Sequence, residues 1–185
     1  MATAAMLELM TAEQFSQRPD PGYPEELVHG RIVGTPPPDR RHGYVCGQAY
    51  YVLRRFVDEH GLGRVMSNDS GVITQRDPDT VRGADVAYYS YARLPKGPVP
   101  TGYGPEVPEL IVEVRPVSDA WPEILEKVAE YLGAGVSVVV VLDPEPKTAH
   151  VFGAIDPPAT LGPEDELVLP GILDGLRVRV AQFFE

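Results

Sequence analysis

Residues 109–142 constrain the fold most. Two short apolar runs, 109–115 and 136–142, flank a helical repeat from about 119 to 132. In that repeat Trp121, Ile124, Leu125, Val128 and Leu132 form one apolar stripe, with Glu123, Glu126 and Glu130 expected on the opposite side. Gly133-Ala134-Gly135 ends it, because glycine enters the left-handed cap conformation without a Cβ penalty. Strand, helix and strand in this order make a crossover unit. Its two strands lie in one sheet, and the connection is expected to be right-handed.

The rest of the chain adds strands to that unit. Thr11-Ala12-Glu13-Gln14 reads as a capping box that opens a short helix before Pro19. Residues 26–33 read as a hairpin turning at His29-Gly30. From about 41 to 60, Val45, Ala49, Val52, Leu53, Phe56 and Val57 recur at helical spacing, and Gly61 stops the pattern. Residues 64–75 and 84–89 read as strands joined by the turn Asp77-Pro78-Asp79-Thr80. Residues 92–108 hold five prolines and three glycines and are expected to be a long loop, a kind that is often functional. A strand at 148–152 follows a turn at 144–147, and short strands are expected at 166–169 and 176–180. The reading is one domain over 1–185 of α/β (α+β mixed) class. A mixed central β-sheet is flanked by helices, with an additional N-terminal hairpin and C-terminal strands.

At 185 residues and 43% hydrophobic content the chain can bury a sizeable core. It has no apolar stretch long enough to cross a bilayer and no basic-then-apolar secretory layout, so a cytoplasmic protein with no membrane association is expected. Cys46 stands alone, which excludes a disulfide framework and argues against a zinc site built from cysteines. His29, His42, His60 and His150 show no metal-ligand spacing. The net charge of -11 opposes simple electrostatic capture of nucleic acid. The basic-rich region is Asp39-Arg40-Arg41-His42 with Arg54-Arg55, and its plain reading is a solvated helix face.

Against that background, acids inside apolar runs stand out. Asp85 lies in Ala84-Asp85-Val86-Ala87-Tyr88, and Glu113 lies in Leu110-Ile111-Val112-Glu113-Val114. Carboxylates are rarely buried unless something positive holds them. Lys127 follows on the helix, at the boundary of its apolar stripe. Each residue has a structural alternative. Asp85 would satisfy turn amides, Glu113 would pair with Arg115, and Lys127 would snorkel or pair with Glu123 or Glu130. Together, two carboxylates and a lysine are the residue types that metal-assisted phosphodiester hydrolysis requires.

The ordered motifs resemble the PD-(D/E)XK nuclease superfamily, and within it the Uma-two family of putative restriction-endonuclease-like proteins. The segments carrying the resemblance are residues 10–15, 26–33, His42, 77–80, 84–88, 111–114, 126–132, 135–136, 141–144 and 173–176. The resemblance implies a restriction-endonuclease-like core. It also implies a metal-dependent DNA endonuclease using Mg²⁺, with Mn²⁺ able to substitute. Asp85 and Glu113 match the metal ligands, Lys127 matches the motif lysine moved to the following helix, and Glu26 matches a hairpin acid that joins the site (or is an ordinary hairpin carboxylate). The helix from Arg41 and the loop 92–108 would border the substrate. DNA is the implied partner, and a homodimer follows by analogy with enzymes that cut both strands. Where the superfamily's lysine usually sits, this chain has Arg115, expected to pair with Glu113 and weaken metal binding. Ala84 replaces a usual proline and His29 a turn aspartate. The alternative is a catalytically inactive nucleic-acid- or protein-binding module that retains the fold. Hydrolysis of RNA or a nucleotide phosphodiester is a third option.

Overall fold

The structure, a computed structural model, describes residues 9–116, 120–153 and 157–185. Two helices and a mixed sheet form its centre. Helix α1 (Ala12–Ser16) opens with the expected capping box: Thr11 accepts the Gln14 amide, and the Gln14 side chain accepts the Thr11 amide. Strands β1 (Glu25–Val28) and β2 (Arg31–Gly34) form the hairpin. His29 and Gly30 both take positive φ, 49° and 73°, as a two-residue turn of this kind demands. Helix α2 (Arg40–His60) is capped by the Asp39 carboxylate on the His42 amide and ends at Gly61, at φ 61°.

Strands β3 (Gly63–Gln75) and β4 (Thr80–Ser90) make a long antiparallel pair. Strand β5 (Leu110–Val114), helix α3 (Trp121–Ala134) and strand β6 (Val138–Asp143) form the crossover, with β5 and β6 parallel in register. The position expected to open α3, Asp119, lies outside the described residues. Gly135, at φ 104°, caps the helix. Strands β7 (Thr148–Gly153) and β8 (Ala159–Leu161) extend the sheet, and β8 has no counterpart in the sequence reading. Strands β9 (Glu166–Leu169) and β10 (Leu173–Arg179) form a separate antiparallel pair before a single 3₁₀ turn, Val180–Phe183. The main sheet runs β2-β1-β4-β5-β6-β7-β8, with β3 on the free edge of β4. No helix among the described residues is long and apolar enough to cross a membrane.

Strand alternation sorts the core into two layers. Leu110, Val112 and Val114 of β5, with Val140 and Leu142 of β6, pack against Val45, Ala49, Leu53 and Val57 of α2 and against β9, β10 and Phe183. Ile111, Val139 and Val141 face the other way, onto Ile124, Val128 and Tyr131 of α3. Burying each of these aliphatic side chains contributes about 1.5–3 kcal/mol. The stripe of α3 is rotated from the expected one. It centres on Ile124, Val128 and Tyr131, leaving Leu125 44% exposed. Glu130 is correspondingly half-buried instead of lying on the far side.

Strand β4 determines where a site can form. One edge pairs with β3 along nearly its whole length. The other edge is shared: β1 pairs at Val81, and β5 pairs at Val86, Ala87 and Tyr88. Between these contacts β4 lacks a ladder partner on that edge, and its polar groups are met by side chains instead.

Candidate active site

The fork between β1 and β5 gathers the candidate residues. Continuing the β1–β4 register one step past Leu27↔Val81 sets Glu26 opposite Arg82. Glu26 fills the gap. It accepts Arg82 Nη1 at 2.9 Å on one oxygen, and the Gly83 amide at 3.1 Å and Lys127 Nζ at 3.0 Å on the other. Burial alone would raise its pKa, but Lys127 and Arg82 outweigh that and hold it below the ordinary carboxylate value. Glu26 therefore serves as an anchor for two cations.

Arg82 is buried and completes the anchor with a bidentate pair to Glu130, 2.7 Å on each arm. That pair is why Glu130 turns toward the sheet. Lys127 was open to pairing with Glu123 or Glu130 on its own helix; its ammonium instead crosses to Glu26. Burial pulls the lysine's pKa down, yet the charges of Glu113 and Glu26 bring it above its ordinary value, so it stays charged.

Continuing the β4–β5 register one step past Val86↔Val112 sets Asp85 opposite Glu113. The ladder stops short of that pair, and the Asp85 side chain takes over from a backbone partner. Asp85 Oδ2 takes the Val114 amide at 2.7 Å and faces His42 Nε2 at 3.3 Å. The amide it satisfies belongs to a neighbouring strand, not to a turn. Glu113 is 6% exposed and accepts a hydrogen bond at 3.0 Å from the Tyr131 hydroxyl. Burial first, and the charge of Asp85 second, push its pKa well above the ordinary value, while Lys127 pulls it back. Two acids held this close resist ionising together.

Arg115 does not pair with Glu113. It binds Asp143 at 2.9 and 3.1 Å and reaches Glu145 at 3.6 Å. Register explains the difference. Val114↔Leu142 is the last parallel pair, and one step further, past the end of the β5–β6 ladder, Arg115 meets Asp143, the last residue of β6. Among the arginines of α2, Arg54 pairs with Asp58 and Arg55 with Glu59, as a solvated face would have it, while Arg41 donates to the carbonyl of Pro144. In the loop 92–108, Tyr103 stacks on Phe15 with centroids 5.7 Å apart, and Arg93 donates to the carbonyls of Val107 and Pro108.

Three contributors were not read from the sequence as members of a site. Tyr131 stood outside the apolar stripe read from the helix. His42 has no second histidine at ligand spacing; its partners are Asp85 on β4 and Cys46 one helical turn on, and that four-residue spacing to Cys46 was the available signal. For His42, burial lowers the pKa, but the hydrogen bond and charge of Asp85 raise it more. Asp69 sits on a bulge in β3. Ser67 pairs with Val86 and Ser70 with Ala84, so Asn68 and Asp69 together oppose Asp85. Both take positive φ, 66° and 53°, which Asn and Asp tolerate best among non-glycine residues. Opposite the bulge, a Cβ on Gly83 would lie 2.9 Å from that of Asp69, so glycine makes the close approach possible. Burial and the charge of Asp85 raise the pKa of Asp69. The Asn68-Asp69 pair inside a strand-forming run was the available signal.

The fold is a mixed sheet with helices on both faces, and the fork in it brings Glu26, Asp85, Glu113 and Lys127 to one region. Among solved structures it is similar to a putative nuclease belonging to DUF820 from Anabaena variabilis ATCC 29413. The TM-score is 0.80 and the identity 16%, covering 95% of this chain and 97% of that one. The chain belongs to the Uma2 family, described as putative restriction endonuclease, whose pattern matches residues 12–181. No curated protein matches it.

Proposed function

We propose that this chain is a divalent-cation-dependent DNA endonuclease. The carrying observation is the pair of buried strand acids, Asp85 and Glu113, set in a sheet fork beside a half-buried, charged lysine. The donors fit the ion: two hard carboxylates suit Mg²⁺, or Mn²⁺ in its place, which takes one or two such ligands with water and phosphate. The raised pKa of Glu113 fits as well, because a dication would relieve the repulsion between the two acids. Bound there, such an ion supplies charge neutralisation at the scissile phosphate and activation of water.

The protein's own groups perform the remaining tasks. Lys127 presents an N–H toward the reacting phosphate and offsets negative charge that develops on it. Glu26 fixes the ammonium in place while Arg82 and Glu130 fix Glu26. Tyr131 orients Glu113, and the Val114 amide orients Asp85. The first turn of α2, through His42, borders this side of the site. Expected results follow for plasmid DNA. Wild-type protein nicks or linearises it with Mg²⁺ or Mn²⁺ and not in chelator. Asp85→Asn is slower by about 10²–10³-fold, in line with loss of a principal electrostatic element. Equal cleavage by both proteins would reject the assignment.

A second reading keeps the fold without turnover, as a nucleic-acid- or protein-binding module. Its protein-binding form is favoured by the net charge of -11 and by the neutralisation of Arg54 and Arg55 by their own helix. It calls for binding without hydrolysis and no millimolar affinity for Mg²⁺ or Mn²⁺ in calorimetry.

A further inference from the structure

Helix α2 places His42 and Cys46 one turn apart on the same face. Cys46 Sγ lies 3.5 Å from His42 Nδ1, and His42 Nε2 lies 3.3 Å from Asp85 Oδ2. One donor atom from each of His42, Cys46 and Asp85 falls within 4.8 Å of the other two. A tetrahedral ion with bonds of about 2.0–2.3 Å holds its donors roughly 3.3–3.8 Å apart; because His42 can give such an ion only one of its two nitrogens, the set at 4.8 Å closes around one ion by side-chain shifts of about an ångström. His42 and Asp85 are buried and Cys46 is half-buried, which limits competition from water.

We infer that His42, Cys46 and Asp85 form a binding site for a zinc-like transition-metal ion, sharing only Asp85 with the carboxylate pair, and that filling it inhibits the nuclease centre. The inhibitory half rests on the function proposed above; the binding half does not. The donor chemistry separates the two sites. An imidazole, a thiolate and one carboxylate select zinc or cobalt over magnesium, whereas Asp85 with Glu113 offers only hard oxygens. Asp85 belongs to both sets. A zinc-like ion held by His42, Cys46 and Asp85 would take up the negative charge of Asp85 and leave Glu113 as the one remaining acid of the carboxylate pair, too few hard ligands to hold Mg²⁺ well. On binding, the Cys46 thiol becomes a thiolate and its proton passes to solvent, while His42 ligates as neutral imidazole; no redox step is involved.

The test uses the full chain in a phosphine reductant. Cobalt(II) serves as the spectroscopic probe and zinc as its competitor. Wild-type protein is expected to take one equivalent of cobalt with a thiolate-to-cobalt charge-transfer band and the intense visible bands of a tetrahedral site, both removed by zinc. Cys46→Ser, and independently Cys46→Ala, should lose the charge-transfer band and bind zinc at least about tenfold more weakly. Both variants should keep Mg²⁺-dependent cleavage and need at least about tenfold more zinc for half-inhibition. A wild-type spectrum without the charge-transfer band overturns the site, as does equal zinc affinity in wild type and variants. Equal zinc inhibition of all three proteins overturns the regulatory half. If the wild type cleaves nothing under any condition, the nuclease reading fails, while the cobalt spectrum still decides the metal site.

Discussion

Replacing Glu113 with glutamine should make the metal-free protein more stable near pH 8 and at the same time end its divalent-cation-dependent cleavage. The two effects have one cause. Glu113 is buried beside Asp85, and its pKa is pushed from 4.5 up to about 8, by burial first and by the Asp85 charge second. The sign follows from proton linkage. In the interval between those two values the folded state holds more protons at this position than the unfolded state, so stability falls as pH rises. The slope attributable to one such group is at most about 1.4 kcal/mol per pH unit. Glutamine keeps the shape and removes the charge, so this part of the pH dependence should vanish. Near pH 8 the melting temperature should rise by several degrees. Below pH 4.5 the two proteins should melt alike, because Glu113 is then protonated in both states. Thermal unfolding in chelator across this range provides the measurement. A Glu113→Gln protein that melts lower than wild type near pH 8 would mean the carboxylate is already neutralised by the protein itself.

The second large effect belongs to Lys127. Lys127→Met keeps most of the side-chain volume and removes the ammonium. Cleavage should fall by about 10²–10³-fold in kcat/KM, while Mn²⁺ affinity stays within a few-fold of wild type, since lysine is not a ligand. Lys127→Arg should not restore activity, because a larger planar guanidinium directs its donors differently from a compact ammonium, and Arg82 already holds the other oxygen of Glu26. The loss should be accompanied by a rise in the pKa of Glu26, for which Lys127 is the leading stabilising charge. Wild-type kinetics in Lys127→Met would remove the lysine from the chemistry and leave it as a structural counter-ion.

Much of the framework was legible because it rests on local rules. The capping box at Thr11, the His29-Gly30 turn, the glycine stops at Gly61 and Gly135 and the crossover around α3 each follow from residues within one turn or one strand. The acids in β4 and β5 were legible for a related reason: a carboxylate within an apolar run has few structural excuses. What the sequence did not convey depends on register between distant strands. The partner of Arg115 is Asp143 because of a single step in the β5–β6 ladder. Asp69 opposes Asp85 because of a bulge, a feature that spacing along one strand does not encode. Arg82 joins Glu26 to Glu130 across 56 and 48 residues. The rotation of the α3 stripe toward Tyr131 has the same origin, since that polar triad draws Glu130 inward and turns Leu125 out. The alternative for Lys127, pairing within its own helix, failed because Glu26 offered a buried carboxylate where Glu123 offered an exposed one.

The most direct test of the proposed centre is an anomalous difference map from crystals soaked in Mn²⁺, with Mn²⁺ chosen because it scatters anomalously and replaces Mg²⁺ at oxygen sites. The expected result is a peak between the carboxylates of Asp85 and Glu113, with the Lys127 ammonium beside it and still bound to Glu26. A map with no peak there at millimolar Mn²⁺, and with both carboxylates unmoved, would contradict a two-acid metal centre in this fold.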